Sequence, residues 1–291
     1  MDITTFLIGV YCLIDDELKG QRLRQRGPQP ALSDSEVLTI EVVGEFLGLD
    51  TDQGLYRYFR THYADWFPAL RRIDRTTFIR QAANLWAVKQ HLWQVIVSWV
   101  REEATISLLD SFPVPVCRFG RARYCRRLRA VALYGYDEGA KQTYYGLRAH
   151  LRVCWPGVIV GLSLAPANEH DLQGAEELLP GSVGWALGDR NYWSPSCAAR
   201  WREQDLWLLA PFKSCKRQQS AWPHWLVRTR YRIETVIGQL VERFHAKRVW
   251  ARDVWHLTSR WMRKLLSHTI AVLFCQQAGL SPLSFDKLIS C

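Results

Sequence analysis

The pattern of hydrophobic and polar positions changes near residue 103. Before this point apolar residues recur at helical spacing, most clearly from Val37 to Leu47. Ser33 stands just before that run and Glu36 follows three residues later, which is the signature of an N-terminal capping box. A further helix is predicted from about residue 75 to residue 100. We therefore expect residues 1–103 to form an all-α N-terminal domain.

From residue 104 onward the pattern is that of strands combined with helices. The segments TISLLDSF, QTYYGLRAHLRVCW and GVIVGLSLAP are predicted strands, and a Pro-Gly turn separates the last two. A helix capped by Asp171, a strand GWALGD, a helix, a strand LWLLAPF and two basic helices follow. This order is typical of a mixed sheet with helices on both faces. Residues 104–291 are thus expected to form one α/β domain.

Three acidic residues occupy positions that suit a shared metal-binding site. Asp110 and Asp189 each close an apolar run of strand length, whereas Glu234 lies inside a helical pattern. Carboxylates on different elements can bridge two divalent ions about 3.5 to 4 Å apart. Taken singly, each has a simpler explanation as a turn residue, a surface ion pair or a helix salt bridge. Together they predict a site for phosphoryl transfer.

The charge of the chain favours a polyanionic partner. The net charge is +10, from 38 basic and 28 acidic residues, and Lys and Arg neutralise phosphates. Residues 117–152 hold 9 basic and 2 acidic residues, and residues 211–264 hold 13 and 3, so both basic blocks flank a candidate carboxylate. The candidate DNA contacts are Arg190, Lys213, Lys216, Arg217, Arg230, Arg232, Lys247 and Arg248.

Helical spacing ranks two of these arginines. Arg230 lies one turn before Glu234 on the same helix face and is the best candidate for gripping a phosphate. Arg232 points about 160° away from Glu234. In the N-terminal region, a DNA-binding helix-turn-helix competes with a domain that only packs. Its candidate phosphate contacts are Arg57, Arg60, Arg71, Arg72 and Arg75.

The cysteines and the longest apolar runs point to a cytoplasmic protein. The eight cysteines include no C-x-x-C pair, and their spread argues for reduced thiols rather than for a disulfide framework. No apolar run reaches about 18 residues, so no membrane span is expected. We expect the protein in the cytoplasm.

Six motifs, in this order, carry a resemblance to a known family: LSDSEVLTI, DSFPVPVC, YYGLRAHL, PANEHD, GDRNY and R-x-x-I-E. The chain resembles a DDE-class transposase of the nine-eighty-two group of bacterial insertion sequences, over nearly its whole length. The resemblance implies a ribonuclease H-like catalytic domain with Asp110, Asp189 and Glu234 as the catalytic and metal-binding triad. It implies two Mg²⁺ or Mn²⁺ ions per active site and a homodimer. It also implies a bacterial cytoplasm, with the protein associated with the nucleoid when bound to DNA. The implied partner is double-stranded DNA, as the element's terminal inverted repeats and as the target.

The chain departs from the Y-R-E-K signature of a related, larger family. That signature places Tyr seven residues before the Glu, Arg four before it and Lys seven after it. Here these positions hold Val227, Arg230 and Val241, so the Arg alone matches. The phosphate-contact role is therefore transferred only to Arg230.

The expected function is cleavage of insertion-sequence ends and transfer of their 3′-hydroxyl groups to target DNA by two-metal-ion chemistry. Two alternatives stay open, a ribonuclease H-like nuclease that cuts without joining and a DNA-binding protein on an inactive, domesticated transposase fold. His150 and His170 either assist the carboxylates or serve in packing and helix capping. Tyr192 and Trp193 either stack on an extruded base or are simply buried.

Overall fold

The computed structural model describes residues 1–21, 23, 28–212 and 222–289. Three candidate DNA contacts, Lys213, Lys216 and Arg217, lie outside these described residues. None of the helices in the described ranges is both long and apolar enough to cross a membrane.

The chain divides into two compact units. The first contains Met1–Val100 and Leu240–Cys291, and the second contains Arg101–Gln239. The described helices are α1 (Ile3–Leu18), α2 (Asp34–Phe46), α3 (Asp52–His62), α4 (Arg75–Asn84), α5 (Trp86–Trp99), α6 (Asp171–Leu178), α7 (Pro195–Arg202), α8 (His224–Glu242), α9 (Val254–Gln277) and α10 (Phe285–Leu288). The described strands are β1 (Glu103–Pro115), β2 (Leu133–Asp137), β3 (Gln142–Trp155), β4 (Val158–Pro166), β5 (Gly184–Leu187) and β6 (Leu206–Leu209).

Helix α2 begins as the sequence predicts. The hydroxyl of Ser33 accepts the Glu36 amide at 3.1 Å, and the Ser33 amide donates to the Glu36 carboxylate at 2.6 Å. The single helix predicted over residues 75–100 is instead two helices, α4 and α5, which meet at Leu85. The Leu85 amide is shared between two carbonyls of the preceding turn at 3.2 and 3.3 Å, which tightens that turn and ends α4.

Helix α9 packs within the first unit, against α2, α4 and α5. The prediction had placed residues 240–291 with the α/β domain, and the structure differs because α9 is buried through charged as well as apolar side chains. Arg263, fully buried, lies 2.5 Å from Glu45 and 2.8 Å from Asp52, and the buried Lys264 also pairs with Glu45. These basic residues of α9 therefore pair with buried carboxylates inside this unit.

The same buried network extends to α5. Lys89 donates to both carboxylate oxygens of Glu41 at 2.8 and 2.9 Å, and Arg260 reaches Asp52 at 2.5 Å. Burial alone would raise the pKa of Asp52, but Arg263 and Arg260 outweigh it and the pKa lies well below its usual value. Each of these buried carboxylates thus faces at least one cation, which is the condition for tolerating charge in an interior.

We expect Glu45→Gln to destabilise the protein by roughly 3 kcal/mol, because it leaves the buried Arg263 and Lys264 without their shared carboxylate. Chemical denaturation measures the free energy of unfolding. The control is Asp65→Asn, which removes the exposed pair of Asp65 with Arg71 and is expected to change it by less than about 1 kcal/mol. Equal effects of the two substitutions would contradict the prediction.

The second unit is built around one mixed sheet. The strand order is β2-β3-β1-β5-β6, and β4 also pairs with β3. Strand β1 runs antiparallel to β3 and parallel to β5, which is parallel to β6. Gly146 of β3 pairs with Pro115 of β1 and with Leu133 of β2, so β1 and β2 lie on opposite edges of β3. Strands β2 and β4 therefore lie end to end along the outer edge.

Strand β2 was not predicted from the sequence. Its run LYGYD is short and follows an arginine-rich segment, so alternation alone does not identify it. The structure shows why Gly135 stands at its centre. A Cβ atom there would lie 2.4 Å from the carbonyl oxygen of Ala167, so only glycine permits this close approach.

The two faces of the sheet are covered by different helices. One face packs against α6 and α7, in a core of Leu109, Ala175, Leu179, Ala186, Tyr192, Trp201, Leu206 and Leu208. Because side chains alternate along a strand, Asp110 points to the opposite face from Leu109. Trp185, the register partner of Ile106, shares the Asp110 face and contacts Trp225 of α8 at a ring distance of 5.9 Å. Helix α8 therefore lies over the Asp110 face.

Candidate active site

Parallel pairing of β1 with β5 brings Asp110 and Asp189 together. The register joins Ile106 to Trp185, Ser107 to Ala186 and Leu108 to Leu187. Continued by two residues, it sets Asp110 beside Asp189, whose backbone is still extended at φ −78° and ψ −171°. Neighbouring strands lie about 5 Å apart, and residues in register leave the same face of a sheet. Asp110 does not end its strand as predicted, because β1 continues to Pro115.

The surroundings of both aspartates disfavour their charged forms. Burial raises the pKa of Asp110 to about 7, with the Ser111 amide at 2.8 Å lowering it and the charge of Asp189 raising it. Burial also raises the pKa of Asp189, against the Asn191 amide that donates to it at 2.9 Å. Adjacent carboxylates in such a place favour a bound proton or cation over two bare charges.

Helix α8 carries Glu234 and Arg230 to the same region. The Arg230 guanidinium lies 3.3 Å from the Glu234 carboxylate, one helical turn away as predicted. Its charge also acts on both Asp110 and Asp189, where it opposes the rise in pKa caused by burial. The Nε of Arg230 is buried without a hydrogen-bond partner among the described residues. The three candidate carboxylates are thus arranged around one guanidinium.

In this arrangement the three carboxylates do not form a closed ligand set. Within the part of the chain that the structure describes, no group of three or more His, Cys, Asp or Glu side chains is close enough together to hold a metal ion. Asp110 and Asp189 are neighbours by register, whereas Glu234 faces Arg230. A shared metal would need the Glu234 side chain to turn away from that ion pair.

A second polar cluster lies on the other face of β1, directly behind Asp110. The Ser111 hydroxyl donates to Asp171 at 2.5 Å, and Arg148 lies 3.3 Å from both of them. The His150 Nδ1 lies 3.7 Å from the Asp171 carboxylate. Burial lowers the pKa of His150, so its imidazole is neutral near pH 7. The cluster ties β1, β3 and α6 together directly behind Asp110.

Sequence reasoning assigned Asp171 to the cap of α6, and this is wrong. The cap is His170, whose Nδ1 accepts the Leu172 amide at 3.2 Å, while Asp171 is buried against the sheet. One signal was present in the sequence. Gly174 follows Asp171 by three residues, and a Cβ at Gly174 would lie 2.4 Å from the ring of His150. A glycine one helical turn after Asp171 therefore indicates the face of α6 that packs closely against its neighbour.

Of the two aromatic residues that follow Asp189, Tyr192 is buried in the second unit and Trp193 is half-buried. Tyr192 is 2% exposed and belongs to the core beneath α6 and α7. Trp193 contacts Phe212 at a ring distance of 4.6 Å. Burial, the simpler of the two explanations, therefore describes Tyr192 in this structure.

The sequence matches the family model described as "Transposase DDE domain" over residues 101–249, half of the chain. The matched segment contains Asp110, Asp189 and Glu234. The chain belongs to the DDE transposase family. No curated protein sequence matches it.

The fold is similar to a solved transposase structure. This is the cryo-electron microscopy structure of the piggyBac transposase synaptic complex with hairpin DNA, with a TM-score of 0.50 and 11% sequence identity. The similarity covers 98% of this chain and 76% of that chain. At so low an identity, the likeness concerns the fold alone.

The other candidate DNA contacts lie in different settings in this DDE transposase. Arg190 is exposed immediately after Asp189. Arg232 lies over the ring of Trp155, with its guanidinium carbon 5.2 Å from the ring centre. Lys247 and Arg248 lie in a 3-10 helix, Ala246–Arg248, of the first unit.

We expect Asp110→Asn to stabilise the DDE domain in metal-free buffer above neutral pH. The folded-state pKa of about 7 exceeds the unfolded value of about 3.9. The folded state therefore holds its proton more tightly, and stability falls as pH rises through that window and stays low above it. Asn removes this loss, which is of the order of 4 kcal/mol.

Thermal unfolding with a chelator at pH 5 and at pH 8 tests this. The advantage of Asp110→Asn over wild type should be clear at pH 8 and smaller at pH 5. Glu203→Gln, at an exposed carboxylate, is the control and should show no such dependence. An advantage of equal size at both pH values would contradict the prediction.

Proposed function

We propose that this chain is the transposase of a bacterial insertion sequence, which cleaves the ends of its element and transfers their 3′-hydroxyl groups to target DNA. The observation that carries the proposal is the alignment of Asp110 on β1 with Asp189, two residues after the parallel neighbour β5, with Arg230 acting on both. Phosphoryl transfer needs anionic metal ligands and a cation for the phosphate in one place. The motif resemblance to the nine-eighty-two group supports the insertion-sequence assignment.

We further propose that the second unit is a ribonuclease H-like domain. The antiparallel strands β1, β3 and β4 are followed by α6, β5, α7, β6 and α8, in the order that the sequence resemblance implies for such a domain. The candidate carboxylates lie on the central strand β1, just after β5, and on α8. Strand β2 extends the edge of this arrangement.

A divalent cation fits the two aspartates. Their oxygens are hard ligands of the kind that Mg²⁺ and Mn²⁺ prefer, and a cation would offset the burial and the nearby carboxylate charges that raise both pKa values. Glu234 would complete the ligand set by exchanging its ion pair with Arg230. We propose two ions per site. When bound, such ions activate the attacking oxygen and stabilise the leaving oxygen.

Arg230 is proposed to hold the scissile phosphate. Its guanidinium already serves Glu234 at 3.3 Å, and its buried Nε lacks a partner among the described residues. A phosphate accepts two parallel hydrogen bonds from one guanidinium, which an ammonium cannot imitate. With Glu234 holding a metal ion, Arg230 would be available to bind the substrate phosphate. The attacking groups are water and then the DNA 3′-hydroxyl, so no side chain is assigned as a nucleophile.

The first unit offers a candidate surface for recognising the element's ends. A surface pocket in it is lined by Tyr56, Arg57, Arg60, Asp74 and Arg75, among others. Three of the five arginines that the sequence nominated as phosphate contacts therefore meet in one place. We propose that this pocket contacts the DNA backbone of the terminal repeats. Because two ends must be held together, we also propose a homodimer.

One observation favours a second candidate function. Glu234 is engaged by Arg230, and the described residues contain no three-ligand metal cluster. A DNA-binding protein on an inactive, domesticated transposase fold would have these features permanently. A nuclease that cuts without joining would use the same site, so strand transfer separates it from a transposase.

A cleavage and joining assay tests the proposal. Purified protein is incubated with Mg²⁺, a labelled duplex that carries the element's end, and a supercoiled plasmid as target. We expect Asp110→Ala, Asp189→Ala and Glu234→Ala each to reduce cleavage and joining more than about 100-fold, because each removes a proposed metal ligand. Glu203→Ala, at an exposed carboxylate, is the matched control and should keep full activity.

The outcomes distinguish the three candidates. Cleavage and joining by the wild type, lost in the three variants, would support the transposase. Cleavage without joining would favour the nuclease. Duplex binding with no cleavage, unchanged by the substitutions, would exclude the catalytic proposal and leave the DNA-binding protein.

Two neighbouring arginines on α8 provide a sharper comparison. We expect Arg230→Gln to lower cleavage at least about tenfold, because it removes the cation beside both aspartates. Arg232→Gln should have a smaller effect, because its guanidinium stacks on Trp155 instead. The rate of end cleavage at saturating DNA is the measurement. Equal losses would contradict the assignment of Arg230.

A further inference from the structure

The segment between β1 and β3 forms an exposed basic and aromatic surface that the candidate active site does not use. Six arginines lie between residues 118 and 129, and all six are exposed. No Asp or Glu occurs from Ser111 to Tyr136. In the described parts of the chain, no carboxylate forms an ion pair with any of the six, which are Arg118, Arg121, Arg123, Arg126, Arg127 and Arg129.

Four exposed aromatic rings belong to this segment: Phe119 and Tyr124 stand among the arginines, Tyr134 and Tyr136 follow on β2, and Tyr124 is 78% exposed. Phe119 is 54% exposed, Tyr134 50% and Tyr136 53%. Phe119 meets Tyr134 edge to face at 6.4 Å, and Tyr134 meets the buried Tyr145 at 5.1 Å, so the patch is anchored to β3. Exposed rings next to each other are unusual on a surface unless they have a partner. The six exposed arginines of the same segment indicate that this partner is anionic.

The sheet register places this patch on the face that carries the candidate active site. Asp110 pairs with Leu151 of β3, and Tyr134 pairs with Tyr145 of the same strand. Leu151 and Tyr145 are six residues apart, so their side chains leave the same face of β3. Tyr136, two residues further along β2, lies close to this region, because the Arg148 guanidinium is 3.5 Å from the Tyr136 carbonyl and 3.3 Å from the hydroxyl of Ser111, the residue next to Asp110.

We propose that Phe119, Tyr134 and Tyr136, with the arginines of residues 118–129, bind unpaired bases of the DNA strand that extends from the cleavage point. The arginines alone would bind the phosphates of any duplex. Exposed rings stack on bases whose faces are free, as they are in unpaired DNA. The inference rests on the proposed transposase function and deepens it, because it names the form of DNA that this surface takes. Tyr134 and Tyr136 project from one side of β2, as successive rungs for stacking.

The first test measures binding by fluorescence anisotropy, with the full-length protein. The probes are a labelled thymidine oligonucleotide of about 16 nucleotides, within the site size of known single-strand binders, and a duplex of equal length. The Tyr134→Ala, Tyr136→Ala double variant should bind the single strand at least about tenfold more weakly and the duplex nearly unchanged. The corresponding double Phe variant keeps both rings and should bind like wild type.

Two controls separate stacking from other effects. Trp207→Ala removes a ring that is 47% exposed on the edge strand β6, and it should leave single-strand binding unchanged. Arg121→Gln with Arg123→Gln should weaken single strand and duplex alike and reduce the salt dependence of binding. Thermal unfolding confirms that each variant is folded.

A cross-linking experiment on the wild type does not depend on any variant. An end duplex with iodouracil in an unpaired extension is irradiated, and the protein is digested with trypsin. We expect the nucleotide on the peptide of residues 130–141, which contains both tyrosines. Loss of single-strand and duplex binding to the same degree, or cross-links only elsewhere, would overturn the inference. So would a change from dimer to monomer in the tyrosine variant with unaltered DNA binding, because it would assign the patch to a second copy of the chain.

Failure of this inference and failure of the proposed function are distinguishable. If the tyrosine variants cleave, join and bind single strands like wild type, the surface assignment fails and the transposase stands. If the wild type binds single strands through these tyrosines but never cleaves, the surface stands and the catalytic proposal fails.

Discussion

The parallel pairing of β1 with β5 is the constraint on which the candidate site depends. It sets Asp110 and Asp189 side by side on one face of the sheet, although 79 residues separate them in the chain. Burial and nearby carboxylate charges raise both pKa values, which makes the pair a place for a proton or a cation. The hydrogen bonds behind β1, from Ser111 and Arg148 to Asp171, hold the same strand against α6. The strand pairing that positions the two aspartates thus also places them where their pKa values are raised.

The two units handle buried charge in opposite ways. In the first unit Glu41, Glu45 and Asp52 each face a buried cation at hydrogen-bond distance, so the charges are satisfied within the fold. In the second unit Asp110 and Asp189 face each other, and one guanidinium serves them and Glu234. An interior network with matched charges is tolerated within the fold, whereas an unmatched one is a candidate site for a ligand. This contrast explains why similar compositions have different roles in the two units.

The basic residues of the chain likewise have two different roles. The cations of α9 lie inside the first unit, where they neutralise carboxylates. The arginines of residues 118–129 are exposed, and no acidic residue stands among them. Net charge predicts a polyanionic partner, but only burial shows which cations are free to meet it. The exposed rings beside those arginines add the proposed preference for unpaired bases, which charge alone would not provide.

The sequence by itself determined the capping box at Ser33, the position of Glu234 and Arg230 one turn apart on a helix, and the motifs of a DDE transposase. These depend on residues close in the chain, so local pattern suffices. Three features were decided only by tertiary structure. Helix α9 joined the first unit through buried ion pairs, Asp171 turned from cap to interior, and β2 formed at the sheet edge. That Asp110 and Asp189 lie side by side was decided by the register between strands. The pairing of two distant segments cannot be predicted from either segment alone.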